Sequence, residues 1–433
     1  MRLSRPGQGF GRYVALSRKK PTNLPPIIIR DHQPWPWPST NNKRGWTPLT
    51  PFPCVNYAHQ STTAGTTDDP RKLDGSQTLA PADSLTRLAS GHCTMQCLYT
   101  FVAVGAPDVI GDGALTSQEM ADKLKMSVNV RYLERILRFL ATQGVLSENK
   151  NVEEAATYSL TDTGQLLQTK VPGQPAFGPV VKSFFDPDFW CAWGKLHEAV
   201  IAPTEGKNTT TGGAVPFEIA HGKKFFPHLL DNLEKAKTFS QAMGFYTAIQ
   251  LPTVLKYDWG KLNGKTVVDL GGSVGTLMEN VANEFPGIGK CFSLDTEDIV
   301  RMAPKPKNKI VELVAGDFFD SSTIPKCDAI FMKLILHDWD NVTCKKIIKA
   351  CHEALNEGGR LIIGERVMAE VGDASSDTIE TKYLDVFMMV LLGGQERTAK
   401  EWENLLCGDV LFEMEDAIPS KSPFAIISCT KVG

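Results

Sequence analysis

The run Val267-Val268-Asp269-Leu270-Gly271-Gly272-Ser273-Val274-Gly275 joins a β-rich segment to a glycine turn and a helix start. Such a turn lets the backbone approach a ligand closely. Three chemistries fit it. A dinucleotide fold uses one, but the spacing here is not G-x-G-x-x-G. A nucleophile elbow fits because Gly271-x-Ser273-x-Gly275 satisfies G-x-S-x-G. That hydrolase needs a later acid and a histidine near the C-terminus, yet no histidine follows His352 and no HGGG-type oxyanion loop is present.

The third chemistry is binding of S-adenosylmethionine (AdoMet), and further residues support it. Asp295 ends the second β-rich run, where a carboxylate can accept hydrogen bonds from both ribose hydroxyls. Asp317 ends the third and is followed by Phe318-Phe319. An acid there can accept from an adenine amine while an apolar ring covers the base. Each acid alone could be a helix cap. Asp269, Asp295 and Asp317 at successive strand ends point instead to the edge of the sheet where this fold class carries function.

The elements that must position these residues alternate. Thr266–Leu270, Cys291–Asp295, Ile310–Val314, Ala329–Met332 and Arg360–Gly364 are short β-rich runs separated by helical stretches, the pattern of an α/β, doubly wound parallel sheet. Cys407–Met414 and Phe424–Thr430 are read as strands closing its edge. Residues 217–257 read as helical. Upstream, Ser84–Gly105 reads as one long apolar helix. Thr116-Ser117-Gln118-Glu119 is a capping box opening a short helix that ends near Lys125. Tyr132, Ile136, Leu137, Phe139 and Leu140 then recur at helical spacing up to Gly144, and Tyr158–Thr161 reads as a short strand. Helix, helix and β-wing make a winged-helix pattern. Its basic residues Arg131, Arg135 and Arg138 are read as a solvated or partner-facing edge rather than a DNA-reading one.

Charge supports that choice. The 433-residue chain has a net charge of −3, but residues 1–60 carry nine Lys/Arg against Asp31 alone. The remainder is therefore at −11, unsuited to phosphate-backbone binding, and no nucleic-acid partner is expected. No apolar run approaches the roughly 18–20 residues that span a bilayer, so no membrane association is expected. The ten cysteines are scattered without a CxxC pair, which reads as reduced thiols in an intracellular protein with no metal site. Ten of the 27 prolines precede residue 54, so residues 1–78 are read as a disordered, basic, Pro-rich leader. Its acid-free start also resembles a transit peptide, which would move the location from the cytoplasm to a mitochondrion or plastid.

From about residue 80 onward the chain resembles the two-domain, caffeate-type O-methyltransferases. The matching residues are Asp269–Gly275, Gly316-Asp317-Phe318, Phe331-Met332-Lys333-Leu334-Ile335-Leu336-His337-Asp338-Trp339 and Gly393-Gly394-Gln395-Glu396-Arg397-Thr398. The block around His337 is the most specific of these. The resemblance implies a winged-helix dimerisation domain (79–200) ahead of an AdoMet-binding domain (201–433), a homodimer, and a small-molecule acceptor. It places Asp269, Gly271, Asp295, Asp317, Phe318 and Lys333 against AdoMet, His337 as catalytic base, and Glu365 and Glu396 as carboxylates flanking that histidine.

Elementary chemistry agrees. A phenol with pKa near 10 is a poor nucleophile until its proton is removed, and a histidine with pKa near 6.5, neutral at working pH, can remove it. Carboxylates such as Glu365 and Glu396 could orient the ring and stabilise the imidazolium. Asp338 is read as a helix cap. Phe184, Phe185, Phe189, Trp190 and Trp193, with Phe387, Met388 and Met389, are read either as walls for a flat acceptor or as ordinary core. Two segments depart from the family pattern. Thr296-Glu297 follows Asp295 where many members have Leu-Pro, and Leu406–Val410 is compressed. Some members of the broad family methylate sulfur, and a thioether has no proton to lose, so retention of His337 leans towards oxygen. A non-catalytic binding module is the remaining alternative.

Overall fold

The computed structural model describes residues 80–170, 175–201, 215–375 and 378–433. The expected leader, 1–78, lies outside the described residues. No helix among them is long and apolar enough to cross a membrane.

The N-terminal part follows its sequence signals closely. Helix α1 (Pro81–Ala103) opens with proline at its first turn, where a missing N–H costs nothing. It ends at Gly105, whose φ of +82° turns the chain into α2 (Ala106–Ile110). The strand β1 (Ala114–Leu115) leads to α3 (Ser117–Lys123), whose start carries the complete Thr116–Glu119 capping box. Helix α4 (Val130–Thr142) buries Leu133, Leu137 and Leu140 on one stripe and leaves Arg131, Arg135 and Arg138 exposed. The hairpin β2 (Leu146–Lys150) and β3 (Ala156–Leu160) forms the wing, and β1 pairs with β3. Phe101, Met120, Leu137, Leu140 and Tyr158 fill the core between them. The short α5 (Asp162–Gln165) closes this part.

A helical layer comes next: α6 (Gly178–Phe184), α7 (Pro187–Trp193), α8 (Leu196–Ile201), α9 (Pro216–His221), α10 (Phe225–Leu230) and α11 (Leu233–Val254). The large sheet then runs β4 (Thr266–Leu270), β5 (Lys290–Asp295), β6 (Val311–Ala315), β7 (Cys327–Lys333), β8 (Leu355–Met368), β9 (Arg397–Thr398), β10 (Phe412–Met414) and β11 (Ser422–Lys431). Its connecting helices are α12 (Thr276–Glu284), α13 (Glu297–Met302), α14 (Asn341–Ala354), α15 (Ile379–Leu391) and α16 (Ala399–Cys407).

Spatial order is β10-β11-β8-β7-β4-β5-β6, with β9 on the end of β8. Strands β4 to β9 pair in parallel, and β10 and β11 are antiparallel. Alternation along the strands feeds two cores. Val268, Leu270, Ile330 and Met332 face α14 and α16, while Val267, Ala329 and Phe331 face Trp259 and α12. The chain proceeds outward from β4 to β6 on one side and from β7 to β8 on the other. The strand order therefore switches between β4 and β7, where this architecture opens a crevice at the strands' carboxyl ends.

Two strand expectations are corrected. Cys407–Met414 is not one strand: α16 continues to Cys407 and only Phe412–Met414 is extended. The α16 stripe of Trp402, Leu405 and Leu406 packs into the core as far as the first of these residues, and residues 408–411 then form a turn in which Val410 takes φ +57°. Arg360–Gly364 is the middle of a much longer β8, paired on both sides.

Candidate active site

The glycine turn leaves β4 with Gly271 at φ +70° and enters α12 through Gly275 at φ +79°. Gly271 and Gly272 both donate to the Leu294 carbonyl, so the turn lies directly on β5. A Cβ on Gly272 would stand 2.1 Å from Ser293 Oγ and 2.7 Å from Asp269 Oδ2, and one on Gly271 would stand 2.4 Å from Ile335 Cδ1. The glycines are required by this close approach. Asp295 Oδ2 accepts from Ser273 N at 2.9 Å and Oδ1 from Thr296 N at 2.8 Å. Its carboxyl is raised by burial against those hydrogen bonds.

Asp269 sits beneath the turn, buried, and its Oδ2 has no hydrogen-bond partner among the described residues. Burial pushes it up to about 8, with Lys333 pulling the other way. Lys333, at the end of β7, donates to Gln250 Oε1 at 3.3 Å, and burial lowers its ammonium to about 8. Asp269, Gly271, Asp295 and Lys333 thus converge at the switch point. Asp317 lies two residues past β6, is exposed, and accepts from Phe319 N at 2.9 Å. Phe318 packs against the sheet core, and Phe319 stands edge-on to Trp339 with centroids 5.2 Å apart.

Beyond Lys333 the chain turns sharply. Leu334 takes φ +53°, a strained value for a branched residue, and leads into a 3₁₀ turn, Leu336–Asp338, that carries His337. The imidazole is buried, and Nδ1 lies 2.8 Å from Glu396 Oε1. Nε2 lies 3.4 Å from Asp338 Oδ1. Burial alone would lower the imidazole, but Glu396 and Glu365 outweigh it and raise it to about 9. This corrects the expectation of a ring neutral at working pH. Spacing in the sequence does not reveal how many carboxylates the fold gathers around one ring.

Glu365 flanks the ring as expected and helps hold its charge, without hydrogen bonding to it: Oε1 accepts from the backbone N–H groups of Ile335 (3.1 Å) and Leu336 (2.9 Å), capping the turn. Burial raises its carboxyl. One further correction follows: Asp338 is not the helix cap. Asp340 is, accepting from Thr343 N, while burial pushes Asp338 up to about 7 beside the histidine. His337, Glu365 and Glu396 also offer ligand atoms within 4.8 Å of one another, a spacing that could hold a cation. No hydrogen bond joins Ser273 to a histidine among the described residues, and its backbone N–H is held by Asp295, so the nucleophile elbow has no base.

Sequence reading missed two residues at this site. Gly394 is pressed against the turn: a Cβ there would stand 2.0 Å from the His337 carbonyl oxygen. Asp385 Oδ1, on α15, accepts from Glu396 N at 2.8 Å and fixes that residue's backbone. The glycine pair in Gly393-Gly394 was the only available signal for the first; the second had none.

The aromatic residues form one cluster. Phe184, Phe189 and Trp193 lie 5.2, 6.0 and 6.2 Å from Phe387, centroid to centroid, and Phe217, Phe225, Phe239 and Tyr246 from α9–α11 extend it. Trp190 and Met389 lie partly exposed at its margin, and Trp190 stacks on His92 of α1.

Residues 193–410 match the O-methyltransferase domain family and residues 86–170 match the O-methyltransferase dimerisation domain. The chain is 34% identical over 336 residues to caffeic acid 3-O-methyltransferase of Catharanthus roseus, covering 75% of this chain and 88% of that protein. It is 33% identical over 330 residues to nicotinate N-methyltransferase 1 of Glycine max, covering 74% and 89% respectively. The solved structure of human N-acetylserotonin methyltransferase in complex with SAM has the same fold, with a TM-score of 0.68 at 21% identity over 83% of this chain and all of that one.

Proposed function

The chain belongs to the O-methyltransferase family, and from that premise we propose that it methylates a hydroxyl of a small aromatic acceptor with AdoMet as donor. Bound AdoMet would supply an electrophilic sulfonium methyl group. The glycine turn fits such a ligand because Gly271 and Gly272 leave an open backbone face with Asp295 at its edge. Asp295 would hold the ribose, Asp317 and Phe318 the adenine, and Lys333 would close the buried side of the site, with Asp269 supporting the turn from below.

The observation that carries the reading is the buried His337–Glu396 pair at 2.8 Å. Glu396 fixes Nδ1 and stabilises the charged ring, so Nε2 is the atom that takes the acceptor's proton. A base raised to about 9 is mostly protonated at neutral pH, but it is well matched to a phenol near 10. Glu365 acts twice, stabilising the charged ring and holding the turn that carries it. The aromatic cluster around Phe387 walls the acceptor's rings. We divide the chain at residue 200 and assign homodimer formation to residues 80–150. Leu85 and Leu88 there are 67% and 77% exposed, apolar surface that a second copy would cover. A chain that scatters light as a monomer at micromolar concentration would refute that assignment.

Incubation with labelled AdoMet and separate panels of phenols, thioethers and pyridines tests the function. Phenol methylation that falls by about 10²–10⁴-fold in His337→Ala, with AdoMet still bound, supports it. Turnover confined to thioethers or ring nitrogens, which lose no proton, and indifferent to His337→Ala, would sink it.

A further inference from the structure

The base rides on a three-residue 3₁₀ turn, and so short a turn has no stability of its own. Something outside it must fix where His337 points. Glu365 does so at the amide end. At the carbonyl end stands Arg397, which is completely buried on β9. Its Nη1 donates to Leu336 O at 3.1 Å and its Nη2 to Trp339 O at 2.8 Å, one carbonyl on each side of His337. Nε donates to Asn341 Oδ1 at 3.0 Å, and the guanidinium faces the Trp402 ring at 5.0 Å. An anion at the amide end and a cation at the carbonyl end complement the turn's dipole. Glu396 and Arg397 are consecutive in an extended segment, so one grips the ring and the other the backbone beneath it.

We propose that Arg397 is a positioning residue for the methyl-transfer reaction: it fixes the 3₁₀ turn and thereby aims His337 Nε2. The inference rests on the reading of His337 as the base. A lysine cannot reach both carbonyls with the planar fork of a guanidinium. Misplacement by about 1 Å is enough to lower turnover by about 10²-fold.

The test is a double-mutant cycle in the full chain. Arg397→Lys should lower kcat by about 10–100-fold. Acceptor KM and AdoMet affinity should stay within about twofold of wild type, because Arg397 grips Leu336 O, Trp339 O and Asn341 and touches none of the residues assigned to the cofactor. In a His337→Ala background the same substitution should change kcat no further, since there is no base left to aim. An equal loss in both backgrounds, or a parallel loss of AdoMet affinity, would overturn the proposal. If His337→Ala alone leaves kcat intact, the base assignment fails first, and the two failures are distinct. Should Arg397→Lys not fold, exposed Asn341 gives a milder route. Asn341→Ala removes the Nε acceptor and should lower kcat several-fold, whereas Asn341→Asp keeps an acceptor and should restore it. Equal activity in both would overturn the proposal too.

Discussion

Replacing Glu396 by glutamine keeps the shape of the site and removes the charge that dominates it. In the native protein the imidazole stands at about 9 against a usual 6.5, raised chiefly by Glu396 and Glu365 over the opposing effect of burial. That displacement corresponds to about 3 kcal/mol of folded-state stabilisation of the charged ring. Because the folded pKa is the higher one, this stability is fully present below pH 6.5 and is lost as pH rises through about 9. Catalysis has the opposite dependence, since only the neutral ring accepts a proton. We expect kcat/KM of the native enzyme to rise tenfold per pH unit up to about 9 and then level off. In Glu396→Gln burial regains its hold, and the limb should fall by about two pH units. Above pH 9 the weaker base, its imidazolium no longer stabilised by a carboxylate, should leave the variant about 10²-fold slower. Two phenols of different acidity separate enzyme from acceptor: the limb of the histidine stays fixed while that of the acceptor moves. The variant should also melt several degrees lower at pH 6 and nearly with the native protein at pH 10. A native profile flat from pH 6 to 10, or a Glu396→Gln limb still at 9, would refute this account of the charge cluster.

Asp295→Ala should weaken AdoMet binding at least tenfold by titration calorimetry, since it removes both the ribose acceptor and the partner of Ser273 N; unchanged affinity would exclude Asp295 from the site. Gly394→Ala would drive a methyl group into the His337 carbonyl. It should lower kcat by at least tenfold with a stability loss of about 1–3 kcal/mol, read by stopped-flow turnover and urea melts. Exhaustive EDTA treatment should leave activity unchanged. A loss restored by added magnesium or zinc would instead assign His337, Glu365 and Glu396 to a cation.

Much of this architecture was legible because local and global signals agree. The Thr116–Glu119 capping box and the strand Thr266–Leu270 lie where their residues place them, since each depends on neighbours a few positions away. The convergence of Asp269 and Asp295 followed from strand-end position, whereas Lys333 was implied by the family resemblance. What the sequence hid depends on approach across the sheet. Glu365 and Glu396 sit 28 and 59 positions from His337 in the chain, and nothing local distinguishes a carboxylate that touches a ring from one that caps a turn. Arg397 looks like one more cation until its burial and the two carbonyls it holds are seen. The segment 407–414 misleads because Val410 and Leu411 lie in a turn, with Val410 at φ +57°, between the end of α16 and the three-residue β10.

The position of β11 matters for how the chain is made. This strand, Ser422–Lys431, inserts between β8 and β10, yet it is synthesised after every other strand of the sheet. About 60 residues separate the end of β8 from the end of β11, a delay of roughly 3–13 s at ordinary elongation rates. Throughout that interval one side of β8, with Leu361, Ile362 and Ile363 near its middle, lacks its neighbour. An open apolar strand edge is a template for pairing with another nascent chain. Slower ribosomes or trimming inside β11 should therefore cost yield through aggregation before they cost activity per folded molecule, and a holdase acting on nascent chains should recover that yield.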